Sequence, residues 1–196
     1  LSARPQTIRK NLTGFRHRYV TGHEMAALLI GVRRVLRKQP TLAHAFARHV
    51  RPTHESVYPA LIQFVDTLRE STGNAKNYLL PDPRRSSACK RFHMYLRWLI
   101  RRDAVDPGAW ARLVPGKLNP ALLVIPMDTH MHRIARRLRF SMRNTPDLRT
   151  ALEVTAAFRA INPEDPVKYD FALTRLGIRN DTDLEAFFFS LEPWGG

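Results

Sequence analysis

Two residues in this chain, Lys90 and Asp128, have the types and settings that could do covalent chemistry. Lys90 lies in the stretch Ser86–Trp98, where it falls in the opening turn of a predicted helix. Asp128 follows the apolar run Leu122–Pro126 and stands where an N-cap would begin another helix. A lysine amine can act as a nucleophile, and a nearby carboxylate can help to activate it. The pair is separated by 38 residues, so two helices must position it.

The pattern around Lys90 predicts an amphipathic helix with Ser86 or Ser87 as its N-cap. One apolar face is predicted to contain Phe92, Tyr95, Leu96 and Leu99. A second stripe, at i, i+4, i+7 and i+11, contains Lys90, Met94, Arg97 and Arg101. This stripe would suit a groove that holds a nucleotide, with Met94 in the base pocket. It equally fits a solvated basic face.

The segment before this helix, residues 71–85, is predicted to be irregular because it contains Gly73, Asn74, Pro81 and Pro83. Backbone N–H groups at a helix start near Ser86 and Ser87 could bind an anion. Arg84 and Arg85 would add positive charge to that site.

The helix after Asp128 is predicted over residues 129–138, with an apolar inner face and an arginine-rich outer one. The inner residues are Met131, Ile134, Ala135 and Leu138, and the outer residues are Arg133, Arg136 and Arg137. Asp128 could serve only as the cap of this helix. His130, His132 and Asp128 could also be read as a metal site, but positions i and i+2 do not share a helix face. We therefore expect no metal.

The remaining sequence predicts helices and no strands, so the expected class is all-α. Helix starts are predicted at Thr21–Glu24 as a capping box, Thr41, Thr53–Ser56, Thr145-Pro146, Asp165-Pro166 and Asp181 or Thr182. The helix after Thr41 is expected to end at Val50, the one after Asp165 at Gly177, and a short one to span Ala109–Leu113. Residues 1–20 are either a solvated basic connector or a DNA-contacting loop anchored by Phe15 and Tyr19.

Composition indicates a polyanionic partner. The 196 residues contain 32 Lys and Arg against 17 Asp and Glu, a net charge of +15. Nucleic acid is the commonest such partner, and an anionic membrane surface is the other. The single cysteine, Cys89, excludes an internal disulfide and a cysteine-ligated iron–sulfur cluster. Without a transmembrane run or a signal peptide, we expect a cytoplasmic protein, and the start at Leu1 predicts a missing N-terminal portion.

Three blocks of the chain resemble the helix-hairpin-helix DNA glycosylases, the superfamily of endonuclease III and 8-oxoguanine DNA glycosylase. The blocks are Ser87–Asp103, Ile125–Arg139 and Ala151–Ile178. Together they look like a bacterial and archaeal branch described as a domain of unknown function. The superfamily's hairpin pattern is Leu-Pro-Gly-x-Gly. This chain keeps Leu80-Pro81 and has no glycine there.

The resemblance implies a single all-α domain over 1–196 that lacks N-terminal helices. It places a degenerate helix-hairpin-helix at 79–102 and an insertion at 103–122. It implies a DNA glycosylase with AP-lyase activity, in which Lys90 attacks C1′ to form a Schiff base and Asp128 stabilises the sugar cation. Expected DNA contacts are Arg84, Arg85, Ser86, Ser87, Arg91, Arg97, Arg133 and Arg137.

The expected partner is duplex DNA, bound by a monomer without a cofactor. By analogy alone, the excised base is an oxidised purine. The alternative function is a non-catalytic DNA- or RNA-binding module of the same fold.

Overall fold

The computed structural model describes residues 3–73, 77–85 and 87–178, and these are mainly helical. The helices are α1 (Pro5–Asn11), α2 (Gly22–Leu36), α3 (Leu42–Ala47), α4 (Tyr58–Thr72), α5 (Lys90–Ile100), α6 (Ala109–Leu113), α7 (Thr129–Arg137), α8 (Leu148–Ile161) and α9 (Asp170–Ile178). A 3-10 helix spans Pro120–Leu122. The predicted helical class is confirmed. The predictions for Asn74, Ser86 and a final helix from Asp181 or Thr182 lie outside the described residues.

The chain divides into two compact units. The first contains the described residues of 1–85 and 110–118, and the second contains those of 86–109 and 119–196. In the first unit, Phe46, Phe64 and Trp110 form a buried aromatic cluster with ring centroids 5.5 to 6.0 Å apart. Trp110 belongs to α6, so this predicted short helix supplies part of that core.

A small antiparallel hairpin precedes α2 and was not predicted. It pairs β1 (Arg16–His17) with β2 (Val20–Thr21). Thr21 ends the hairpin and caps α2, and its side chain accepts a hydrogen bond from the backbone N–H of Glu24. The Glu24 carboxylate accepts the N–H of Thr21 at 2.9 Å and that of Tyr78 at 3.1 Å. The predicted capping box is confirmed.

The second unit is built around the predicted apolar run before Asp128. Leu123, Val124 and Ile125 are completely buried, and Met127 is nearly so. The backbone N–H of Ile125 donates to the Thr155 hydroxyl of α8 at 3.0 Å. Helices α7 and α9 pack together. This packing fixes the chain that enters α7 and therefore fixes Asp128.

Several helix boundaries differ from the prediction because other side chains provide the caps. Helix α8 begins after Asp147, whose carboxylate accepts the Thr150 N–H at 2.9 Å, and not at Thr145-Pro146. Helix α9 begins at Asp170, because the Asp165 carboxylate is bound by an arginine instead. Helix α3 ends at Ala47, helix α4 begins at Tyr58, and Gly177 lies inside α9.

Candidate functional site

Lys90 and Asp128 meet in the second unit. The Lys90 Nζ atom lies 2.8 Å from Asp128 Oδ2. Asp128 is the N-cap of α7, and its other oxygen, Oδ1, accepts the Met131 N–H at 2.8 Å. The Lys90 side chain is 44% exposed and that of Asp128 is 12% exposed. One carboxylate oxygen therefore holds a helix while the other holds an accessible amine.

Lys90 is the first residue of α5, as expected, but Ser87 does not cap that helix. The N-cap is Cys89, which adopts a left-handed backbone with φ of 49° and makes no side-chain capping bond. Ser87 instead accepts the Cys89 N–H at 3.3 Å through its hydroxyl and forms an isolated antiparallel bridge with Asp147. The left-handed turn directs the chain into α5 immediately before Lys90.

The buried face of α5 also differs from the prediction. It contains His93, Leu96, Arg97 and Ile100. Tyr95 and Trp98, by contrast, are 40% and 44% exposed. Arg97 was predicted to contact DNA, but only 4% of its side chain is exposed and two carboxylates bind it. It is therefore not available to a phosphate. Arg101, the last residue of the predicted stripe, is also buried, so neither arginine can line a nucleotide groove.

Arg97 and Arg101 are buried and instead bind a group of four aspartates, of which Asp106 and Asp170 are also buried. The other two are Asp165, which is partly buried, and Asp103, which is exposed. Arg97 Nε donates to Asp106 at 3.0 Å, and its Nη1 contacts Asp170 at the start of α9. Arg101 contacts Asp103 and donates to Asp106 at 2.8 Å and to Asp165 at 2.7 Å. Burial would lower the pKa of Arg101, but its carboxylate partners raise it. The network ties α5 to the segment before α9.

The charge of Asp128 is maintained by its partners. Burial alone would raise the pKa of Asp128. The hydrogen bonds from Lys90 and from the Met131 N–H outweigh that effect, so the pKa lies below its ordinary value. Asp170 differs, because its pKa is raised to about 6. Burial is the main cause and the charge of Asp128 adds to it, whereas Arg97 opposes the shift. The two carboxylates are thus electrostatically coupled.

The other predicted DNA contacts are distributed over both units. In the first unit, Arg84 pairs with Asp66 and Asp82 while its side chain stays 49% exposed, and Arg85 is exposed. In the second unit, the exposed residues are Ser87, Arg91, Arg133 and Arg137. Met94 is half-buried one turn after Lys90. These positions leave the DNA-contact assignments as predictions, apart from Arg97.

Two observations restrict other roles for the described residues. Within them, no cluster of three or more His, Cys, Asp or Glu side chains has the geometry to hold a metal ion. His132 donates from Nε2 to the Arg143 carbonyl at 2.9 Å. Among the same residues, no helix is both long and apolar enough to cross a bilayer.

The pair lies within the part of the chain that a family model covers. Residues 1–179 match the model described as Protein of unknown function (DUF2400). The chain belongs to the DUF2400 family. No curated protein and no solved structure matches it. The Lys90–Asp128 pair of this DUF2400 chain is therefore interpreted from its own geometry.

His93 was not singled out from the sequence, although it is the most unusual buried side chain of α5. It is fully buried, and within the described residues neither ring nitrogen has a hydrogen-bond partner. Burial lowers its pKa to about 4, so the ring is neutral at pH 7. Its spacing from Leu96 and Ile100 on a helix would have indicated an inward position.

Proposed function

We propose that this protein is a DNA glycosylase with AP-lyase activity that acts through a Schiff base on Lys90. The proposal includes a glycosylase-like helical fold, duplex DNA as the partner, a monomeric state and a cytoplasmic location. The observation that carries it is the 2.8 Å contact between an accessible lysine amine and a carboxylate fixed at a helix N-cap. The resemblance of the blocks around both residues to the helix-hairpin-helix glycosylases supports the same assignment.

The arrangement suits displacement of a base from a deoxyribose. The target nucleotide must first leave the helical stack, which costs a few kcal/mol. The bond between C1′ and the base then breaks, and the base departs with the bonding electrons. Asp128 holds its negative charge at this stage and stabilises the positive charge that develops on the sugar.

Lys90 would then form the bond to C1′. Its Nζ atom contacts Asp128 Oδ2, which is positioned to accept the proton that the amine must lose. Opening of the sugar ring produces the Schiff base. Loss of a proton from C2′ with departure of the 3′ phosphate then cleaves the strand. The 44% exposure of the Lys90 side chain leaves it accessible to an extruded nucleotide.

Charge supports a DNA substrate. The net charge of +15 favours binding to the phosphate backbone, and Arg91, Arg133 and Arg137 lie on exposed positions of the two helices that carry the pair. A non-catalytic binding module would share this charge. The catalytic proposal explains why a lysine amine and a carboxylate pair at the starts of two helices. A non-catalytic binding module does not require that pair.

Covalent trapping on DNA tests the proposal. Wild-type protein is incubated with a panel of duplexes, each containing one altered base or one abasic site, in the presence of borohydride. Borohydride adds hydride to the Schiff base and leaves a stable amine link between protein and sugar. We expect a covalent adduct with at least one duplex, and an oxidised purine is the first candidate. DNA binding without any adduct across the panel, including the abasic site, would favour the binding module.

A further inference from the structure

The β1–β2 hairpin of the first unit presents two exposed arginines at an aromatic tip. Arg16, His17 and Arg18 are exposed, and Tyr19 is 81% exposed. Within the described residues, no ion pair engages Arg16 or Arg18. The hairpin has only two residues in each strand, and such a short ribbon is not stable by itself. Its base must therefore be held by the surrounding unit.

The base of the hairpin is held tightly. The Gly22 N–H donates to the Phe15 carbonyl at 2.7 Å, which closes the hairpin beyond its last strand residue. A Cβ at Gly22 would lie 1.8 Å from the Leu12 carbonyl oxygen, so only glycine permits this close approach. Thr21 and Glu24 add the capping box. The tip thus projects from a fixed support.

The turn at the tip contains a strained arginine. Arg18 has a φ of 54°, in the left-handed region where two-residue hairpin turns favour Gly, Asn or Asp. An arginine there gives up stability that a glycine would provide. It places a second guanidinium beside Tyr19. Strain of this kind concentrates at functional positions.

A cleft of about 490 Å³ adjoins the hairpin within the same unit. Its cationic lining residues are Arg9 and Arg16, its apolar ones include Leu12, Phe15 and Ala26, and none is acidic. The nearest carboxylate in sequence, Glu24, is buried and bound by Thr21 and Tyr78. The volume is within the range of small-ligand sites.

We propose that the hairpin and this cleft bind a nucleic-acid strand, with the arginines contacting phosphates and Tyr19 stacking on an unpaired base. Charge complementarity selects the occupant, because the surface is cationic and the whole chain carries +15. Alternating arginine and aromatic side chains suit a single strand, whose bases have accessible faces. An anionic membrane would require a broader apolar face than one tyrosine and a half-exposed phenylalanine provide.

Binding of an undamaged single strand tests this inference without any excision chemistry. Fluorescence anisotropy is measured with labelled oligo(dT) over a range of salt concentrations, using the full chain. Tyr19→Ala should weaken binding about fivefold or more, as expected when one stacking side chain is removed. Arg16→Gln with Arg18→Gln should reduce the slope of log K against log salt by about 0.7 for each phosphate that the variant no longer neutralises.

Two further variants separate binding from folding. Arg18→Gly relieves the left-handed strain, so it should keep or raise the melting temperature while weakening binding. The matched control is Tyr78→Ala with Arg51→Gln, because both residues are exposed and lie in the same unit outside the hairpin. This control should bind as the wild type does.

Three outcomes would overturn the inference. The first is wild-type affinity and salt slope in the Tyr19 and arginine variants. The second is an equal decrease in affinity in the control pair. The third is a decrease that appears only with phosphatidylserine vesicles, which would assign the surface to a membrane. The probe contains no lesion, so the binding result can be interpreted even if the protein has no glycosylase activity.

Discussion

His93 should make this protein sensitive to mild acid, and His93→Leu should remove that sensitivity. The imidazole is fully buried on α5, and neither nitrogen has a hydrogen-bond partner among the described residues. Leucine has a similar volume and no polar atoms. At pH 7.5 the variant's free energy of unfolding should therefore change by less than about 1.5 kcal/mol in either direction.

The sign of the pH effect follows from the direction of the pKa shift. Burial lowers the pKa of His93 from 6.5 to about 4, so the unfolded chain takes up this proton first as the pH falls. The contribution of neutral His93 to stability is complete above pH 6.5 and is lost as the pH approaches 4. A shift of this size corresponds to about 2 kcal/mol at pH 5 and about 3 kcal/mol in full.

Urea unfolding of wild type and variant between pH 7.5 and 4.5 measures this difference. Comparison with the variant is essential because Asp170 has the opposite effect on stability over the same pH range. Its pKa is raised to about 6, so its protonation stabilises the folded protein as the pH falls. His17→Gln removes an exposed imidazole and serves as the control. Parallel stability curves for wild type and His93→Leu would refute the reasoning.

Three other predictions concern single side chains. Asp128→Asn keeps the cap on Met131, so unfolding should change by less than about 1 kcal/mol while base excision falls by orders of magnitude; Asp128→Ala should lose both. Near-normal excision by Asp128→Asn would show that Asp128 serves only as a helix cap. Arg97→Met leaves the buried Asp170 without an arginine, although Asp106 keeps Arg101, and should cost about 3 to 5 kcal/mol in urea unfolding. The exposed control Arg91→Met should cost less than about 0.5 kcal/mol. Small and equal losses of stability in the two variants would show that the buried ion pairs of Arg97 do not stabilise the fold. Arg139 follows α7 in a left-handed conformation with a φ of 58°, so Arg139→Gly should stabilise the protein by about 1 kcal/mol in thermal unfolding. A destabilised variant would contradict this.

The sequence was most informative where one residue determines local structure. The capping box at Thr21, the cap at Asp128 and the short helix Ala109–Leu113 follow from local rules, and the structure confirms them. The apolar run predicted over residues 122–126 is buried except for the half-buried Leu122. Lys90 was also placed correctly in its helix turn. These features depend on neighbours within four residues.

Features that depend on distant partners were predicted less well. Arginines at 97 and 101 look solvated in a sequence pattern, and only the carboxylates at 106, 165 and 170 make their burial possible. Asp165 resembled a cap, but Arg101 binds it instead. Ser87 failed as a cap because Cys89 adopts a left-handed conformation, which side-chain patterns do not reveal.

Substitution of Lys90 tests the central claim most directly. Lys90→Gln removes the only proposed nucleophile and one of 32 cationic residues, so duplex binding should remain nearly unchanged. On the best substrate found with wild type, we predict that the variant forms no borohydride-stable adduct and cleaves no strand. Peptide mapping of the wild-type adduct should place the sugar on Lys90. An adduct that persists in Lys90→Gln, or one that maps to another amine, would contradict the account.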